Sequence, residues 1–309
     1  MTLSYAAIWT ALGRNHGALF DPKTREHLSP AASTELLSCQ TCGLQYFSPA
    51  IPGDGEFYRQ LTQSDPSYYN AESWDFEQAL RLAPPGARLL DVACGAGAFV
   101  ELAAGHGLQA QGIDTNPEAV SRARSAGLSV ELSPLDTYSQ RHAGEYGVVT
   151  AFQVLEHLGE VVSFTRQAAA CLQPGGLLLI SVPNRRRLWR DPQEPLDCPP
   201  HHLSRWEAAQ FGHLAELCDL RLCGVYYDHA TVMDCLSPLL AHLRTPSRRR
   251  TSAPSQAVAD DQPNRTHSRL RCRSERLIET LAAPIWSRPA LLNRLGLWRL
   301  GMLAALQVV

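Results

Sequence analysis

The sequence predicts an α/β fold: a doubly wound, mostly parallel seven-stranded sheet with helices on both faces, plus an N-terminal extension and a C-terminal helical insertion. Three observations lead there. Residues 87–232 alternate short apolar runs with helical segments, the pattern of strands joined by crossover helices. A glycine-rich turn, Asp91-Val92-Ala93-Cys94-Gly95-Ala96-Gly97, separates the first apolar run from its helix. A chain of 309 residues, 45% of them hydrophobic, has enough apolar surface to bury a core of that size.

The elements follow in order. Arg88 to Val92 reads as a buried strand, and Phe99 to Ala104 as a helix stopped by Gly105 and Gly107. Ala110 to Ile113 is the second strand. Asn116-Pro117-Glu118 then supplies an N-cap, a proline at the first helical position and an acid in the first turn. Gly127 ends that helix. Ser129 to Leu132, Tyr146 to Phe152 and Leu177 to Val182 are strands three to five, with a helix from Val161 to Leu172 before the last of them. Ser204-Arg205-Trp206-Glu207 has the spacing of a capping box that opens a helix to Cys218. Leu220 to Tyr227 is the sixth strand, and Gly301 to Val309 returns as the seventh.

Composition divides the rest. Residues 1–60 read as an irregular extension, and 61–85 as a lead-in with Tyr68-Tyr69 and a helical stretch from Trp74 to Leu82. The core spans 61–232. The insertion, 233–300, holds apolar helical pieces at Leu236 to Leu243 and Leu277 to Leu300, around a stretch at 244–276 with the composition of a mobile linker. Trp286 and Trp298 with Arg288, Arg294 and Arg299 form a basic amphipathic surface. It suits peripheral membrane contact or a lipid-like acceptor, and equally a lid or a homodimer interface. Arg248-Arg249-Arg250 reads as solvated linker. A net charge of -2 gives no field for nucleic acid. No signal segment or bilayer-length apolar run is evident, and nine cysteines, mostly single in apolar surroundings, fit reduced thiols. A cytoplasmic location is the expectation.

Glycines between a strand and its helix let a ligand approach the backbone and the helix N-terminal N–H groups. Asp91, just before the turn, suits a cationic or amine-bearing ligand and would repel a pyrophosphate. Asp114, ending the second strand, is placed to accept both hydroxyls of a ribose. The dinucleotide pattern G-x-G-x-x-G fails at its third position, where Val100 stands. The ligand expected is therefore one with an adenosine and an amino acid, not NAD.

Four segments carry a family resemblance. Leu89 to Phe99 resembles motif I of the class I S-adenosyl-L-methionine-dependent methyltransferases, which have a Rossmann-like sheet. Gly112-Ile113-Asp114 resembles their second motif. Phe152-Gln153-Val154-Leu155-Glu156-His157-Leu158 resembles the segment after their fourth strand, and Leu172 to Leu177 their turn before the fifth. Together these cover about 87–230. The resemblance implies S-adenosyl-L-methionine as cofactor, with Gly95 and Gly97 against its methionine part, Asp91 near its amino group and Asp114 on its ribose. It places Leu135 and Asp136 at adenine, and Phe152 and Gln153 beside the methyl-donor pocket. Asp136 reads equally as a turn or cap residue. Ala93 replaces the usual first glycine of motif I, which is tolerated if its φ stays negative. Gly147 stands where the family often has Asp.

Methyl transfer from an activated donor needs positioning and, for some acceptors, a base. His157, Glu156 and His202 are the candidates. Glu156-His157 follows strand four, and Cys198-Pro199-Pro200-His201-His202-Leu203-Ser204, after strand five, resembles a segment of one methyltransferase subgroup. His157 reads alternatively as a brace at the sheet edge. No metal is expected: in the Glu-x-x-Glu-His metal motif of ubiquinone-pathway O-methyltransferases and small-RNA 2′-O-methyltransferases, the first Glu is Gln153 here. Cys39-Gln40-Thr41-Cys42-Gly43-Leu44 resembles half of a zinc knuckle of a bacterial subgroup. The other Cys pair is missing, and His16 and His27 do not replace it at a zinc spacing, so a degenerate knuckle without metal is expected. The function expected is methyl transfer to oxygen or carbon of a small-molecule acceptor. The alternatives are a catalytically silent binding or scaffold protein, and an NAD-linked oxidoreductase.

Overall fold

The computed structural model describes residues 1–64, 73–187, 194–229 and 298–309. Met1–Asp228 with Gly301–Val309 forms one compact unit, and His229–Leu300 is a second. Tyr68-Tyr69 and all of the insertion at 233–300 but its last three residues lie outside the described residues. So do the linker at 244–276, Arg248 to Arg250, Trp286, Arg288 and Arg294.

The N-terminal region is ordered, which corrects the expectation of an irregular extension. Strand β1 (Thr2–Ser4) runs directly into helix α1 (Tyr5–His16). The Ser4 side chain accepts from the Ala7 N–H, and Gly17 closes the helix with φ 63°. Tyr5, Ile8, Trp9 and Leu12 are buried, the i, i+3, i+4, i+7 stripe of one helix face. Helix α2 (Pro22–His27), strands β2 (Ser33–Ser38) and β3 (Gln45–Ser48), and helix α3 (Gly55–Ser64) follow. Trp9, Phe20 and Phe57 pack with ring centroids 4.9–6.2 Å apart at the heart of this module. Its antiparallel sheet has the order β1-β2-β3-β9, and β9 (Ser204–Arg205) comes from far along the chain.

The central sheet has seven strands: β4 (Arg88–Val92), β5 (Gln109–Asp114), β6 (Val130–Leu132), β7 (Tyr146–Phe152), β8 (Leu172–Pro183), β10 (Leu220–His229) and β11 (Trp298–Val308). Their order is β10-β11-β8-β7-β4-β5-β6. From β8 to β6 the neighbours are parallel, and β11 is antiparallel to β8. The central strands are buried on both faces, and successive side chains alternate between two clusters. Leu178, Ile180 and Val182, with Met302, Ala304 and Leu306, face one cluster. Helices α7 (Leu135–Arg141), α8 (Val161–Ala170) and α9 (Ala208–Leu217) cover that cluster. Leu89, Val148, Leu179 and Leu303 face the other cluster, under α4 (Trp74–Leu82) and α5 (Ala98–Gly105). Helix α6 (Pro117–Ser125) has its predicted cap, the Asn116 side chain accepting from the Glu118 and Ala119 N–H groups.

Three local readings change. The helix before β8 stops at Ala170, because Tyr146 pairs with Leu172 and its N–H donates to the Cys171 carbonyl, drawing 172–176 into the strand. The stretch from Leu277 to Leu300 does not end as a helix, since β11 begins at Trp298. Ser204 does not cap α9: its backbone belongs to β9, and its hydroxyl accepts from Trp206 Nε1. Glu207 and Gln210 form the capping box instead, one turn later. Glu207 also pairs with Arg185 and Arg186. Glu207→Ala is therefore expected to lower unfolding stability by about 1–2 kcal/mol. Urea denaturation checks this, and an unchanged midpoint would remove the cap from the account.

Candidate active site

The turn after β4 is built from left-handed residues. Ala93, Gly95 and Gly97 have φ of 59°, 55° and 85°. Ala93 thus lacks the negative φ that would make its methyl harmless, and it carries backbone strain of about 1–2 kcal/mol. The two glycines do different work. A Cβ on Gly97 would come within 2.8 Å of Leu128 Cδ1, so Gly97 is small for packing. A Cβ on Gly95 would meet nothing within 4 Å, so the backbone there borders open space. Asp114 braces the turn: one carboxylate oxygen accepts from the Gly95 N–H at 2.7 Å, the other from the Asn116 N–H at 2.7 Å.

Val100 is buried and packs towards Gly112, where a Cβ would fall 2.9 Å from its Cγ2. Close helix–strand approach, which the third glycine of a dinucleotide turn allows, is here provided from the strand side.

Asp91 lies beneath this turn, 3% exposed, accepting from Thr150 Oγ1 at 2.7 Å. Burial pushes its carboxyl up to about 7, the Thr150 hydrogen bond acts against that, and the Asp114 and Asp75 charges add to it. Asp75, at the start of α4, escaped the sequence reading. It is 3% exposed, and its Oδ2 accepts from Ser181 Oγ and, at 3.4 Å, from Gln153 Nε2. Its Oδ1 is buried without a hydrogen-bond partner. Gln153, after β7, has φ 54°, so a second non-glycine residue is held left-handed at this end of the sheet.

The other predicted cofactor residues divide. Phe152 packs tilted against Phe76 and edge-to-face with Phe99, centroids 4.9 and 4.7 Å away, in the cluster under α4 and α5. Leu135 is buried in the opposite cluster. Asp136 is exposed in the first turn of α7, and its Oδ1 accepts from the Thr137 N–H and hydroxyl.

Glu156, His157 and His202 do come together, with His201 added. Leu155–His157 is a 3₁₀ turn after β7, and Pro195–Asp197 is another that leads into the histidine pair. The backbone stitches these segments to the N-terminal module. The Leu203 N–H donates to the Glu156 carbonyl at 2.7 Å, Phe47 to Leu203 at 2.9 Å, and Gly53 to Pro200 at 2.8 Å. His157 Nδ1 lies 2.6 Å from the His201 carbonyl and 2.9 Å from the Tyr58 hydroxyl. His201 Nδ1 lies 2.6 Å from the Leu196 carbonyl. A carbonyl only accepts, so both Nδ1 atoms carry hydrogen. His202 Nδ1 faces Asp197 at 3.4 Å. Burial works against a charged Asp197, yet the His202 hydrogen bond and the Arg187 charge hold its carboxyl below the usual range.

Burial, then the neighbouring His202, push His157 down to about 3, and burial lowers His201 and His202 as well. Glu156 is 1% exposed, neither of its carboxylate oxygens has a hydrogen-bond partner, and burial pushes it up to about 8.

Cys39 and Cys42 form the β2–β3 turn, with the Gly43 N–H donating to the Cys39 carbonyl and Gln210 holding the Cys42 carbonyl. Both are free thiols. Among the described residues no third ligand joins them: His16 pairs with Glu194, and His27 lies 3.7 Å from Asp54. Among the described residues no helix is long and apolar enough to cross a membrane.

The turn geometry separates two substitutions. Gly95→Ala and Gly97→Ala share a backbone penalty of about 1–2 kcal/mol. Gly97→Ala adds the cost of displacing the end of the Leu128 side chain, at most about 1 kcal/mol. Thermal unfolding should rank Gly97→Ala clearly below Gly95→Ala, and the reverse order would contradict the packing assignment.

A family model described as a methyltransferase domain matches residues 56–223. The ubiquinone biosynthesis O-methyltransferase of Xanthomonas campestris pv. campestris is 36% identical over 113 residues, covering 35% of this chain and 47% of that protein. Its counterpart in Thiobacillus denitrificans is 38% identical over 106 residues, covering 32% and 46%. This chain thus spans about half the length of the curated relatives it matches. A SAM-dependent methyltransferase from Archaeoglobus fulgidus aligns over 75% of this chain and 92% of its own, with 15% identity and a TM-score of 0.48. The family match takes in more than half of the sequence, including the glycine turn, both aspartates and the Glu156-His157 segment, and the chain belongs to the methyltransferase-domain family.

Proposed function

We propose that this chain transfers a methyl group from S-adenosyl-L-methionine to an oxygen or carbon of a small-molecule acceptor. The observation that carries the reading is Asp91, a carboxylate buried against the open glycine turn, where a cationic ligand offsets its desolvation. The open space at Gly95, bordered by backbone, fits the methionyl part of such a ligand. Asp114 keeps lone pairs for ribose hydroxyls beyond its two backbone bonds. The ubiquinone biosynthesis O-methyltransferases named above support oxygen as the acceptor atom.

Roles follow for the chain's own groups. Asp91 receives the cofactor's ammonium, Gly95 and Gly97 let its chain pass, and Asp114 holds the ribose. Asp75, Gln153 and Ser181 form a polar wall at the methyl-donor pocket. The exposed Asp136 caps its own helix turn, and Leu135 and Phe152 shape the pocket from the core. The bound cofactor supplies an electrophilic methyl that leaves a thioether behind. Glu156, His157 and His202 lie where the acceptor's proton is handled. A silent scaffold is the second reading, and the strained Ala93 is the observation that favours it.

The Asp91 carboxyl is raised, so the protein without cofactor holds a proton there below about pH 7. A cationic ligand needs the ionised form. The sign is therefore that affinity rises with pH up to about 7 and flattens above. Asp114, Asp75 and the Cys94 thiol face the same group. Calorimetry should show S-adenosyl-L-methionine binding tightening several-fold from pH 6 to pH 8. Asp91→Asn should bind more weakly, with that slope lost. An equal slope in Asp91→Asn would remove Asp91 from the site.

A further inference from the structure

We infer, on the methyl-transfer reading, that Asp75 recognises the positive charge on the sulfur of S-adenosyl-L-methionine and so separates the methyl donor from its neutral product.

The sheet sets the position of this carboxylate. Leu89 lies beside Val148 and Val148 beside Leu177; one pleat on, Asp91 lies beside Thr150 and Thr150 beside Leu179; one pleat further, Phe152 lies beside Ser181. The apolar members of these rows belong to the cluster under α4 and α5. A period of two puts Asp91, Thr150 and Ser181 on the same face. That face is apolar at the amino ends of the strands and turns polar at their carboxyl ends, the edge outside which open α/β sheets bind ligands. Ser181 stands about 7 Å beyond Leu179 along β8. Asp75, bonded to Ser181, therefore meets the sheet nearer the ligand edge than Asp91 does.

The surroundings of Asp75 suit a charge. It is buried in the first turn of α4, where the helix N-terminus favours an anion. Its Oδ2 accepts from Ser181 Oγ and Gln153 Nε2, and Gln153 makes that bond from a left-handed backbone. Its Oδ1 is buried with no hydrogen-bond partner. Fastening α4 to the sheet accounts for Oδ2 alone, and a neutral amide would do it as well. The free Oδ1 is left with a desolvation cost that a cation offsets. The charge of Asp75 also reaches both Asp91 and Glu156 and raises them. Those groups stand at the cofactor's ammonium and at the acceptor, and methyl transfer takes place between the two.

The two cationic groups of the cofactor are then divided between two aspartates. Asp91 receives the ammonium, which donor and product share. Asp75 faces the sulfonium, which only the donor has. When the methyl leaves, the electron pair of its bond stays on sulfur, which becomes a neutral thioether. The Asp75 carboxylate is then buried without its countercharge, and the product is held less tightly than the donor.

The test is calorimetry on the full chain at pH 8, with S-adenosyl-L-methionine and S-adenosylhomocysteine titrated separately and the ratio of their affinities read. Asp75→Asn should lower the preference for the donor roughly fivefold or more. Asp91→Asn should weaken both ligands and leave the ratio within about twofold of the unmodified chain. Ser181→Ala removes the fastening bond, keeps the charge and should keep the ratio. Circular dichroism shows whether each variant is folded. A smaller change of ratio in Asp75→Asn would overturn the role of Asp75, as would equal loss of both ligands in that variant with its fold retained. Should Asp75→Asn unfold, the unmodified chain decides. Sinefungin, in which an amine-bearing carbon replaces the sulfonium, should bind it more tightly than S-adenosylhomocysteine, and weaker binding would contradict recognition of the charge. If the unmodified chain binds neither S-adenosyl-L-methionine nor S-adenosylhomocysteine, the methyl-transfer reading itself fails. An unchanged ratio in a chain that binds both is the failure of Asp75 alone.

Discussion

Buried negative charge at the carboxyl ends of the central strands is the constraint on which the site depends. Asp91 sits under the glycine turn, Asp75 comes from α4 to Ser181 and Gln153, and Glu156 follows β7. Taking a carboxylate out of water without a partner costs several kcal/mol, and proteins meet that cost by protonation or by a cation. Asp91 and Glu156 are both pushed up by burial, the protonation answer. A cationic cofactor beside Asp91 would be the second answer there.

The surrounding fold holds these groups without room to relax. Thr150 fixes Asp91, and Ser181 and Gln153 fix Asp75. Glu156 is held through its backbone, since Leu203 donates to its carbonyl while Phe47 donates to Leu203. The segment from Cys198 to Arg205 therefore links the histidine pair at the Glu156 turn to the N-terminal module, whose fourth strand it becomes. That module is a structural support of the site, and Tyr58 from α3 reaches His157 directly.

Much of the core was legible because its signals are local. Apolar runs with period two, Asn116-Pro117, and glycines at helix ends each act over a few residues. Asp91 and Asp114 were legible for the same reason, as strand-end residues beside a glycine turn. The N-terminal strands were not. They are three to six residues long, and their sheet is completed by Ser204–Arg205, which no local pattern joins to Gln45 and Tyr46. Asp75, Tyr58 and Asp197 were missed because their importance lies in tertiary contacts to Ser181, His157 and His202. Ala93 was acceptable only on the condition of a negative φ, and its φ of 59° does not meet it; backbone strain leaves no trace in residue type.

Calorimetry of the unmodified chain at pH 8 with S-adenosyl-L-methionine, S-adenosylhomocysteine and NAD tests the central claim most directly. The account predicts saturable binding of the first two at one site per chain and no heat from NAD. Binding of NAD, or no binding of any of the three, would contradict it.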